Sequence, residues 1–117
     1  MQVFAAFAVI RKGSDVWATT RDGKDVGRIG LPGGKCDPGE HPCDTAKREA
    51  FEEGLAVSGE GALIHSDMVE GRLVQWFAFN DASPLDTYKE QARGIKPVLA
   101  PVATIASSGY GNEFLGV

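Results

Sequence analysis

Apolar runs punctuated by glycine and proline divide the chain into short strands around one amphipathic helix. Residues 3–10, Val-Phe-Ala-Ala-Phe-Ala-Val-Ile, form an unbroken apolar run of strand length, which predicts a buried strand. The run is too short to span a membrane and lacks a basic leader, so it predicts neither an anchor nor a signal peptide. Residues 15–20 predict a neighbouring strand, reached through a turn at Gly13-Ser14. Glycines 30, 33 and 34 around Pro32 predict a loop. Residues 62–69 and 73–79 are strand-like and separated by Glu70-Gly71-Arg72, the mark of a hairpin. Residues 80–93 are polar and predict a loop with at most a helical turn. Residues 95–102 are strand-like, but Pro97 and Pro101 confine them to a sheet edge. Residues 107–112 predict a loop, with room only for a short turn after it.

Between these strands, residues 42–53 carry a helical pattern of about three turns. Pro42 suits the first turn, Asp44 suits its positive end, and Gly54 is placed to cap the C-terminus. At about 100° per residue, Cys43, Ala46, Ala50 and Phe51 make an apolar stripe. Beside its edge stand Glu49, Glu52 and Glu53, spaced i, i+3, i+4 within an arc of about 100°. Lys47 falls on the far side of the helix, while Arg48 is within one turn of both Glu52 and Asp44. A solvated acidic face is the ordinary reading of such glutamates. Three carboxylates that repel one another at the border of core and solvent also suit a hard cation, Mg²⁺, Mn²⁺ or Ca²⁺.

Composition narrows the partners. A chain of 117 residues can bury about two-thirds of its unfolded surface, and no repeat or boundary divides it, so one domain over residues 1–117 is expected. A net charge of −4 without a basic stripe argues against a nucleic-acid polymer but not against a small nucleotide. Cys36 and Cys43 fit a reducing cytoplasm. With His41 they lack the spacing of a zinc site, and His65 reads as structural.

The run of Gly34, five residues, Glu40, seven residues and then Arg48-Glu49-Ala-Phe-Glu52-Glu53 resembles the Nudix box of the Nudix hydrolases. The preceding Leu-Pro-Gly-Gly-Lys is similar to that family's usual lead-in. The resemblance implies an α/β fold, an α/β/α sandwich around a mixed sheet. It also implies that Glu49 and Glu53 are the chief metal ligands, that Glu52 serves a further metal, and that the Gly34 carbonyl joins them. Arg48 and Glu40 would hold loop and helix in register. Two departures from the family pattern stand out: Leu55 stands where a glycine is usual, and Ala50 and Ala56 replace bulkier aliphatic residues. The exit from the helix is therefore either a shorter helix or a shorter loop.

The expected activity is metal-dependent hydrolysis of a nucleoside diphosphate linked to some group X, foremost a (d)NTP cleaved to NMP and pyrophosphate. The alternative is a catalytically idle Nudix domain that senses a nucleotide or docks a partner; all four box glutamates are present, which favours the enzyme. Lys35 and Arg28 are candidate phosphate contacts, and Glu90 is the candidate general base. Trp76, Phe77, Phe79 and Tyr88 could stack a base, though core packing is the commoner role of aromatic residues in strands. The expected assembly is a monomer or homodimer away from membranes.

Overall fold

The structure, a computed structural model, describes residues 2–20 and 29–108. Arg28 and the end of the loop expected over 107–112 lie outside the described residues. The chain runs β1 (Ala5–Val9), β2 (Arg11–Lys12), β3 (Asp15–Thr20), β4 (Ile29–Gly30), β5 (Gly33–Lys35) and α1 (Pro42–Glu52). It continues through β6 (Leu55–Ser58), β7 (Ala62–Val69), β8 (Arg72–Ala78), β9 (Asp81–Pro84), a 3-10 turn (Lys89–Arg93), β10 (Pro97–Pro101) and α2 (Val102–Ser108).

One mixed sheet has the order β5-β1-β8-β7, with β1 parallel to β8 and the other pairs antiparallel. A second has the order β10-β3-β2, with β4 also on β3, and β6 pairs with β9. Side chains alternate across a strand, and β1 uses both faces. Ala5, Phe7 and Val9 enter one core with Leu31, Trp76 and Ile105 of α2. Ala6 and Ala8 enter the other with Ala46 and Ala50 of α1. The sheets thus lie between two helical layers, the α/β/α arrangement expected. Alanine meets alanine between β1 and α1, which lets the helix lie close to the strand that positions the site.

Several elements differ from the sequence pattern, and in the strands this is because pairing overrides local preference. The strand β3 does not join β1, both of whose edges are taken by β5 and β8. Instead the chain passes Ile10, continues as β2 and turns back onto β3, with Trp17 N donating to Ile10 O at 3.0 Å. Part of the expected Gly33-Gly34-Lys35 loop is strand β5, and part of the polar stretch after Asn80 is strand β9. The expected edge strand is present as β10, but it stops at Pro101 and α2 follows. Phe51 leaves the predicted stripe and is 56% exposed, while Thr45 is fully buried. The hairpin turn is Glu70-Gly71, both at positive φ (51° and 79°), as the twist of a two-residue hairpin requires.

Candidate active site

The helix α1 is specified at both ends. Pro42 occupies its first turn, and the Nδ1 of His41 accepts from Cys43 N at 3.2 Å, an N-cap not anticipated. At the other end Glu53 is the capping residue, Gly54 takes φ +108°, and Leu55 enters β6 fully buried. The shorter helix is therefore the exit used, and the bulky Leu55 is spent on the core.

Arg48 ties the loop to the helix. Its Nε and Nη2 donate to Glu40 Oε2 and Oε1 at 2.8 and 3.0 Å, a bidentate pair of the strong kind. Nη2 also donates to the Lys35 carbonyl at 3.1 Å, and Nη1 reaches Glu52 Oε2 at 3.2 Å and Glu49 Oε1 at 3.4 Å. The expected pair with Asp44 is not among its ion pairs; Asp37, at 3.6 Å, takes part instead. Glu40 further accepts from Asp37 N at 3.0 Å and the Thr45 hydroxyl at 2.7 Å. The Arg48 hydrogen bond, foremost, holds the Glu40 carboxyl down at about 2. The same pairing raises the Arg48 guanidinium, which stays charged throughout.

The three helix acids have different settings. Glu53 is 6% exposed, and its Oε1 accepts from Thr19 Oγ1 at 3.3 Å and Gly33 N at 3.4 Å. Glu49 lies against the strand β5: a Cβ at Gly34 would stand 2.6 Å from its Oε1. Only glycine leaves room there for carboxylate beside backbone. Burial, then the charge of Glu52, raise the Glu49 pKa, and Glu90 adds to the rise. Glu52 meets Arg48 and also Lys89 Nζ at 3.7 Å.

Glu90 is thus brought near the acids, with Arg93 as its ion-pair partner. Lys35 turns elsewhere, its Nζ lying 5.7 Å from the centroid of the Phe4 ring. Trp76, Phe77 and Phe79 are buried as core, and Tyr88 donates to Ile95 O at 2.7 Å. Thr19, Thr45 and Lys89 were not anticipated. Only long-range pairing brings Thr19 and Lys89 here, and no local pattern marks that.

Among the described residues, no three His, Cys, Asp or Glu side chains already stand together as ligands for one ion. The donor set still suits a hard divalent cation. It is all oxygen, partly buried, and built around the space that Gly34 leaves for the Glu49 carboxylate.

The helix α1 thus sets its acids against the glycine strand β5, on one face of the sheet. The NUDIX domain model matches residues 1–60, just over half the chain, and the chain belongs to the Nudix family. It is by that membership a hydrolase. No curated protein matches the sequence significantly. Similar solved structures include the MutT NUDIX hydrolase from Burkholderia pseudomallei, at 19% identity and TM-score 0.73, covering 98% of this chain and 96% of that one. A MutT structure from work on Aliivibrio salmonicida and Vibrio cholerae shares 17% identity at TM-score 0.70, covering 97% and 90%. An ADP compounds hydrolase shares 19% at TM-score 0.65, covering 85% of this chain and 57% of that one. At these identities the likeness is one of fold.

Proposed function

We propose that this Nudix hydrolase is a single-domain, Mg²⁺- or Mn²⁺-dependent pyrophosphohydrolase of nucleoside diphosphates linked to a group X. Its foremost substrate is a (d)NTP, cleaved to NMP and pyrophosphate. The observation that carries this reading is the Glu49 carboxylate seated on Gly34 beside Glu52 and Glu53, with Arg48 fixing loop to helix. The MutT and ADP compounds hydrolase folds are in keeping with nucleotide-linked substrates.

In this reading Glu49, Glu53, Glu52 and the Gly34 carbonyl hold the divalent ion. When bound, that ion withdraws charge from the phosphates and lowers the pKa of a water. Arg48 keeps the acids at fixed spacing, and Thr19 with Gly33 N orients Glu53. Glu90 accepts the proton of the attacking water as the P–O bond of the anhydride breaks. Lys35 contacts a phosphate after its side chain swings away from Phe4. The free Cys36 and Cys43 accord with a cytoplasmic setting.

A panel of nucleotides tests the reading. The protein should release phosphate or pyrophosphate from at least one of them with Mg²⁺ or Mn²⁺, and EDTA should abolish release. Glu53→Gln keeps the volume but removes a ligand charge, and should lower kcat by about a hundredfold or more. Tight nucleotide binding without turnover would instead establish the idle, sensing alternative.

A further inference from the structure

The edge opposite β5 in the mixed sheet is β7, so one ladder of its backbone groups faces outward, although Met68 N donates within the chain to Asp67 Oδ1 at 2.8 Å. Such an edge is a template for another strand, and proteins usually blunt it with lysine, proline or a cover. Residues 62–69 contain no lysine, arginine or proline. Leu63, Ile64 and Met68 are 52%, 46% and 48% exposed, three of the five large apolar side chains most open to water among the described residues. The strand is interrupted only by a register shift between Leu63 and His65, which leaves its stretch from His65 to Val69 regular.

The strand is also complementary to itself. A two-fold axis normal to a sheet joins a strand to its own copy only with a residue on the axis, because paired side chains share a face. With Ser66 on the axis, His65 stands opposite the partner's Asp67 within the regular stretch, and Met68 meets the partner's strand at its register shift, beside Ile64. Moving the axis to His65 sets Leu63 against the partner's Asp67. Moving it to Asp67 sets His65 against the partner's Val69 and Ser66 against the partner's Met68. Within the regular stretch only the Ser66 register sets base against acid, and it brings Met68 to the end of the partner's strand where Leu63 and Ile64 are exposed. His65 already lies 3.9 Å from its own Asp67 and tilts onto Trp76 at 5.2 Å, so the pairing would close an alternating His–Asp cluster across the axis.

We propose that this chain forms a two-fold dimer by antiparallel pairing of β7 with β7 of a second copy, centred on Ser66. The dimer joins two four-stranded sheets into one of eight. Each candidate active site, at the β5 edge, stays open. One strand ladder is smaller than a standard interface of roughly 1,600 Å², in the size class of weak and transient contacts.

Sedimentation of the purified full chain from about 1 to about 200 μM should show the monomer passing to the dimer. Met68→Lys should raise the midpoint at least about tenfold, through a charge set among apolar side chains. Leu99→Lys, on the exposed face of β10, should leave it unchanged. Asp67→His should weaken the dimer, and His65→Asp with Asp67→His should restore it, since the exchange preserves every cross-axis pair. Near-UV circular dichroism confirms that each variant is folded. A monomer at every concentration overturns the proposal, as does a dimer indifferent to Met68→Lys or a double variant no better than Asp67→His.

Discussion

Arg48 shows how one side chain sets the geometry of several others. Its donors reach Glu40, Glu49, Glu52 and the Lys35 carbonyl, so the acids and the loop share one anchor. Lys47, its neighbour in sequence, reaches among the described residues an exposed Gly59 carbonyl at 3.5 Å. Arg48→Ala should therefore weaken Mg²⁺ affinity and lower kcat together, by about a hundredfold in rate for displaced ligands. It should also cost more stability than Glu53→Gln. Lys47→Ala should change neither rate nor affinity appreciably. Mg²⁺ titrations of activity on both variants decide the matter, and equal effects would mean that Arg48 has no special place. Helical phase alone brings Arg48 to Glu52, because both lie on one helix. It also offered Asp44, which the loop residue Asp37 displaces, since phase cannot see what a loop brings from outside.

Gly54 decides how α1 passes into β6. Its φ of +108° is a region that side chains rarely adopt, and a Cβ there would meet Pro97 at 3.0 Å and Tyr88 at 3.1 Å. Its carbonyl also accepts from Leu85 N at 2.8 Å. Gly54→Ala should cost about 1–3 kcal/mol, read from urea unfolding midpoints, and should loosen Glu53 next to it. A variant as stable as wild type would show that this exit tolerates a side chain. At this scale α1, β3 and β7 were legible, because periodicity and end signals agree within each segment. The strands β5 and β9 were not. Gly33-Gly34-Lys35 and Asp81-Ala-Ser-Pro84 have poor strand propensity and are strands because β1 and β6 supply their ladders. Likewise α2 follows directly on Pro101 and contributes Val102 and Ile105 to the core, a packing that local pattern does not encode.

For the molecule as a whole, the loop–helix anchor links stability to acid. The folded Glu40 pKa of about 2 lies below the ordinary 4.5, so its contribution is full above about pH 4.5. It is lost as the pH falls through about 2. Glu49, raised by burial and by Glu52, acts in the opposite sense, so the clean comparison is with Glu40→Gln in the same background. Urea midpoints between pH 6 and pH 2.5 should fall more steeply for wild type than for Glu40→Gln. Parallel curves would place the acid sensitivity elsewhere. The sandwich itself was legible mainly through the box, whose family fixes the fold. The joining of β1 to β8, across more than sixty residues, has no local sign. That join has a consequence for how the chain comes to be folded. All five residues of β1 are buried between β5 and β8, yet Val74 to Ala78 are made long after it. A nascent chain must carry this apolar segment, with one side of its ladder unmet, until Ala78 has been synthesised. Closure of so long a loop before any reward slows folding and extends the time in which the segment can aggregate.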